Sequence, residues 1–151
     1  MKRGSAKPKV ILDTKPIIKL FAQEEGWEKI QKILAKIEDG EIEGAISVVT
    51  LTEIYCKYLR EGRPDLAKAR TEILRYAIYL KKLTIGLEAA VKAGEFKGKY
   101  NIPIADAFIA ASAYLEDLTI ISDDPDFKRI KEVKTLTEEE LAAYLEGTMT
   151  Y

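Results

Sequence analysis

Histidine is absent from this 151-residue chain, and cysteine occurs once, as Cys56. Without imidazole, the usual zinc sites and the Ser-His-Asp triad are excluded, and nothing is at hand to activate the lone thiol. A single cysteine forms no internal disulfide, which points to a reducing compartment; on a predicted helix Cys56 reads as core filling. An excess of either charge is also missing. The 24 Lys and Arg stand against 25 Asp and Glu, a net charge of -1, so only a local patch can hold a polyanion. Long apolar runs are missing too. Val10-Ile11-Leu12 stops at Asp13 and is too short for a signal peptide, and no stretch approaches the roughly 20 residues of a spanning helix. The expectation is a cytoplasmic protein with no membrane association. Gln, Asn and Met are scarce beside Glu, Lys and Ile, a balance similar to that of heat-adapted proteins.

What remains is 47% hydrophobic and 32% charged, enough for a core and a solvated surface and incompatible with disorder. A chain of 151 residues fits one domain that buries roughly 70% of the surface its unfolded form exposes. The expected organisation is a basic, flexible tail over residues 1–9 and a single domain over residues 10–151.

Periodicity divides that domain into alternating strands and helices. Val10 to Leu12 reads as a buried strand, followed by a cap at Asp13 or Thr14 and by Pro16 in a first helical turn. Trp27, Ile30, Ile33, Leu34 and Ile37 recur at helical spacing up to Gly40. Ala45 to Val49 reads as a second buried strand, with Thr50 opening a helix. Leu66 to Leu80 predicts a helix entered through Gly62-Arg63-Pro64, Leu83 to Ile85 a short strand, and residues 87 to 99 a further helix. After Asn101-Ile102-Pro103 a helix begins near Ile104, and Leu118 to Ile121 is the clearest strand. Asp124-Pro125 makes a turn, Val133 starts an edge strand, and Thr137 with Glu140 has the spacing of a capping box. This alternation predicts an α/β fold with a mainly parallel central sheet.

Four carboxylates, Asp13, Glu53, Asp106 and Asp124, each stand just past a short apolar run. Singly, each has a plain structural reason, because helix starts favour acids. Asp13 and Asp124 fit helix caps, Glu53 is three residues after Thr50 as in a capping box, and Asp106 sits in a first turn. Together they recur where parallel strands deliver residues to one edge of a sheet. Clustered carboxylates repel unless a cation neutralises them, and hard oxygen donors select Mg²⁺ or Mn²⁺. Such a site suits phosphodiester hydrolysis without histidine.

The blocks V-I-L-D-T-K, S-V-V-T-L-T-E-I, I-P-I-A-D-A-F-I-A-A-S-A and L-T-I-I-S-D-D-P-D-F resemble those of the PIN domain family, most closely its VapC-type toxins, from Val10 to about Ile130. The resemblance implies a three-layer α/β/α domain and a metal-dependent endoribonuclease. Asp13, Glu53, Asp106 and Asp124 match the family's metal-site acids, with Asp126 as a further supporting acid and Thr50 as a hydroxyl behind the second. It also implies a homodimer and a small antitoxin partner. One departure stands out: Lys15 replaces the small polar residue usual after Asp-Thr. It either contacts the scissile phosphate, pairs with Asp13 in competition with the metal, or points to solvent. Lys15 therefore keeps open a second reading, a PIN-fold RNA-binding or RNA-processing protein with weak or no catalysis. The same lysine stands where a haloacid dehalogenase phosphatase needs its second aspartate, which sets that reading lower, and a receiver domain lacks its paired N-terminal acids here.

Glu53, Lys57 and Arg60 share one helical face, either as a track for RNA or as a Glu-to-Lys surface pair. Lys97 and Lys99 are further candidates for phosphate contact. Tyr55, Tyr58, Tyr76 and Tyr79 are expected to pack into the core.

Overall fold

Residues 7–147 are described by a computed structural model of the protein. Residues 1–6 of the expected tail lie outside that range, and Lys9 already opens the first strand rather than closing the tail. The elements follow one another as β1 (Lys9–Leu12), α1 (Thr14–Ala22), α2 (Trp27–Glu38), β2 (Glu43–Ser47), α3 (Val48–Arg60), α4 (Pro64–Arg75), β3 (Leu80–Leu83), α5 (Leu87–Tyr100), α6 (Ile104–Glu116), β4 (Thr119–Ile121), α7 (Pro125–Lys128), β5 (Thr135–Leu136) and α8 (Glu138–Leu145). The strands form one five-stranded sheet in the order β3-β2-β1-β4-β5, and every adjacent pair is parallel.

Alternation along the strands builds two cores, one on each face. Val10 and Leu12 of β1, with Ile46 and Ile121, pack with Ile17, Ile30, Ile33, Ile54 and Leu141. Ile11 and Ile120 face the other way and pack with Ala93, Phe96, Ala107, Ala110 and Phe127. Helices α1, α2 and α8 thus cover one face and α5 and α6 the other, which is the expected three-layer arrangement. No helix among the described residues is long and apolar enough to cross a membrane.

Several boundaries differ from the sequence expectation. β2 ends at Ser47 instead of Val49, because the Ser47 side chain accepts from Val49 N at 3.1 Å and starts α3 two residues early. Thr50 and Glu53 therefore form no capping box. α4 stops at Arg75, and β3 occupies Leu80–Leu83 rather than residues 83 to 85. The last strand forms at Thr135–Leu136, beyond Val133. The capping box of Thr137 and Glu140 is formed as expected. Of the four tyrosines assigned to the core only Tyr58 is buried; Tyr55, Tyr76 and Tyr79 are exposed, beside exposed Leu59, Ile73 and Ile78.

The chain winds from β1 outward to β2 and β3, then returns to place β4 on the other side of β1. The order of the strands thus reverses between β1 and β4, and in open parallel sheets the crevice at the carboxyl ends beside such a reversal is where ligands bind.

Candidate metal centre

Strand register assembles the centre. Leu12 lies opposite Ile121, so the next residues, Asp13 and Ser122, emerge side by side, and Asp13 N donates to Ile121 O at 3.1 Å. Asp13 is 4% exposed and caps α1, its Oδ1 accepting from Thr14 N at 2.7 Å. Its Oδ2 accepts from Ser122 Oγ, also at 2.7 Å. The same Ser122 Oγ accepts from Asp124 N at 3.0 Å, so one hydroxyl links the ends of β1 and β4.

Asp124 caps α7, its Oδ1 accepting from Asp126 N at 2.9 Å. Pro125 follows in the first turn, where its missing N–H is no loss. The cap expected from sequence is real, and it turns the second oxygen and the neighbouring acid toward the first turn of α6. There Asp106, Asp124 and Asp126 each offer one carboxylate oxygen, all within 4.8 Å of one another. The tightest group is thus these three, with Asp126 a full member and not only a supporting one. Asp13 and Glu53 stand around it, Asp13 held by the Thr14 amide and the Ser122 hydroxyl and Glu53 by the Thr14 hydroxyl.

Glu53 accepts a 2.5 Å hydrogen bond from Thr14 Oγ1, which also lies 2.9 Å from the buried hydroxyl of Thr50. Thr50 therefore acts on the acids through Thr14. Ser122 and Thr14 were missed as parts of the site from sequence. The available signal was a hydroxyl residue directly beside or two residues from a candidate acid.

The electrostatics are those of burial combined with clustered negative charge. Burial pushes the Asp106 carboxyl up to about 7, and Asp13, Asp124, Glu53 and Asp126 push it in the same direction. Burial also raises Asp13, against the lowering effect of Ser122 and the Thr14 amide.

Cations lie at the margins. Lys15 does not pair with Asp13; its Nζ lies 3.8 Å from Asp124 Oδ2, on a side chain 75% exposed. Arg129 reaches Asp126 Oδ1 at 3.1 Å. The expected Glu53–Lys57 pair is replaced by an ion pair of Lys57 with Glu61, one turn further on, and Arg60 is exposed. Lys97 donates to Ile102 O at 2.9 Å and Lys99 pairs with Glu132, so both brace the end of α5.

The donor set fits a hard divalent cation. It is made of carboxylates alone, its charge is only partly offset by Lys15 and Arg129 at the margin, and the chain offers no histidine and a half-buried thiol on α3.

Comparison with known proteins agrees with this geometry. Residues 10–133 match the PIN domain family. Ribonuclease VapC4 of Mycobacterium tuberculosis is 30% identical over 101 residues, 63% of this chain and 77% of that protein. Among solved structures, VapBC2 from Rickettsia felis, bound to a DNA fragment from its promoter, superposes with a TM-score of 0.68 at 18% identity, covering 85% of this chain and 98% of the other. A toxin-antitoxin complex from Klebsiella pneumoniae gives a TM-score of 0.63 at 22% identity, covering 85% and 97%.

Proposed function

Because the chain belongs to the PIN domain family, we propose that it is a metal-dependent endoribonuclease, the toxin of a type II toxin-antitoxin pair. The observation that carries this reading is the convergence of Asp106, Asp124 and Asp126 beside buried Asp13. The similarity to a protein named ribonuclease and to a toxin-antitoxin complex supports the substrate and the partner.

Asp106, Asp124 and Asp126 would hold Mg²⁺ or Mn²⁺, with Asp13 and Glu53 adding negative charge behind them. When bound, such an ion lowers the pKa of a coordinated water and stabilises charge on the leaving oxygen of a phosphodiester. The chain's own groups prepare that site. Ser122 and the Thr14 amide fix both oxygens of Asp13. Thr14, backed by Thr50, holds Glu53. Asp106, with its raised pKa, would give up its proton on taking a cation, as metal binding by a protonated ligand requires. Lys15, exposed at the rim, is placed to meet a phosphate of the RNA.

A small antitoxin, pairing of two copies and a cytoplasmic location belong to the same reading. The exposed side chains of Tyr55, Leu59, Ile73 and Tyr76 leave apolar surface on α3, on α4 and at the α4 cap for such partners. The ion pair of Lys15 with Asp124 favours one alternative, a PIN-fold RNA-binding or RNA-processing protein with weak or no catalysis. Cleavage of a structured RNA in Mn²⁺ separates the two. The unaltered protein is expected to cut, and Asp106→Asn to lose at least about a hundredfold in rate, in line with weakened hold on the ion that would stabilise developing charge. Equal rates in both would defeat the catalytic reading.

A further inference from the structure

Glu138, at the start of α8, is 4% exposed, yet it takes no part in the acid cluster. A buried carboxylate is retained only with partners that compensate its lost hydration. Glu138 has one in Lys19 of α1, whose Nζ donates to its Oε2 at 2.6 Å. Lys19 Nζ also reaches Asp123 Oδ2 at 3.4 Å, and the Glu138 backbone N–H donates to Asp123 Oδ1 at 3.2 Å. Lys19 of α1, Asp123 of the β4–α7 connection and Glu138 of α8, the last through both its carboxylate and its backbone N–H, thus close a ring.

Asp123 is the residue between Ser122 and Asp124. Three consecutive side chains therefore take three different partners: Ser122 binds Asp13, Asp123 enters the ring, and Asp124 caps α7. The inner side of this turn faces the acid cluster and its outer side is fastened to α8. The helix supplying the fastening is itself anchored twice, by its capping box and by buried Leu141. It also lies beyond residue 133, where the family match ends.

We propose that Lys19 and Glu138 are positioning residues that hold Asp123, and through it the Asp124 and Asp126 carboxylates, in the arrangement that takes the divalent cation. This rests on the metal-dependent reading above. Without Lys19 and the Glu138 carboxylate, only the Glu138 backbone N–H still fastens the outer side of the turn, so Asp124 is freer to swing about its link to Ser122 and carries Asp126 with it. Partners of this kind, which orient ligands without touching the metal, are worth about 10- to 100-fold in metal affinity or activity.

The ring also has a purely structural reading, and a paired replacement separates the two. Substituting both partners of a buried ion pair by apolar residues of similar size is often neutral or stabilising. The variant Lys19→Met with Glu138→Leu is therefore expected to melt at or above the temperature of the unaltered protein. In the metal-free state it should exchange the amide hydrogens of residues 122–127 faster, and calorimetry should show about 10- to 100-fold weaker Mn²⁺ binding. Asp123→Asn, at a side chain 52% exposed and safe for folding, is expected to shift both readouts in the same direction by about tenfold at most. Unchanged exchange and unchanged Mn²⁺ affinity in both variants would overturn the proposal. Failure of the unaltered protein to bind Mn²⁺ overturns the ribonuclease reading instead, and exchange over 122–127 then decides by itself whether the ring positions the turn.

Discussion

Ser122 joins two acids that follow different strands, donating to one and accepting from the backbone of the other. Removing its hydroxyl leaves Asp13 Oδ2 and the Asp124 amide without their partners at a point where Ser122 and Asp13 are buried. Ser122→Ala is therefore expected to lower stability by about 1–3 kcal/mol in denaturant unfolding, and to raise the Asp13 pKa further in a carboxyl NMR titration. Unchanged stability would mean that water replaces the hydroxyl. At this scale the acids were legible in sequence, because carboxylates recurring after apolar runs are rare without a reason. Their partners were not. The Thr14–Glu53 and Ser122–Asp13 bonds depend on sheet register, and Lys57 chose Glu61 over Glu53, both a turn away and equal by spacing.

Gly44 in β2 shows how closely an element can be fitted. A Cβ built there would lie 2.3 Å from Ile37 Cδ1, and the other near atoms belong to the same side chain, so α2 rests directly on the bare backbone. Gly44→Ala is expected to destabilise by about 1–3 kcal/mol through overpacking, and Ile37→Val in the same chain to recover part of that loss. Additive losses in thermal or denaturant unfolding would refute the close fit. Helices with regular apolar spacing, such as α2 and α6, were readable because burial repeats along them. Boundaries were less so. A Ser at the end of β2 took the cap that Thr50 was expected to supply, and Leu80, which fits the helical period after Ala77, pairs with Gly44 in the sheet instead.

For the molecule as a whole, the α/β class and parallel sheet follow from strand and helix alternation, and the family resemblance added the layers. The strand order and the exposure of Tyr55, Tyr76 and Tyr79 could not be read, since both depend on which faces meet. Stability should record the acid cluster. Asp106 holds its proton up to about 7 in the fold, against an ordinary 3.8, so the folded state binds more protons between those values. Stability of the metal-free protein therefore falls as pH rises from 3.8 to about 7, and levels off above. Glu132, held down to about 2 by the Tyr100 hydroxyl and Lys99, works in the opposite sense only below its ordinary 4.5. Melting curves should show the decline, Asp106→Asn should flatten it, and Mn²⁺ at 100 times its dissociation constant should restore about 2.7 kcal/mol at neutral pH. A flat profile in the unaltered protein would contradict the clustering of charge.

The bond between Ser122 and Asp13 spans 109 positions in sequence, and the one between Glu138 and Lys19 spans 119. Synthesis runs from the N-terminus, and contacts this distant form only after the intervening polypeptide exists. A nascent chain therefore carries Asp13 without the neighbour that orients it until residue 122 has been made. Products that stop before residue 126 lack a finished centre, and the ribosome making the protein is not exposed to one until those residues have emerged.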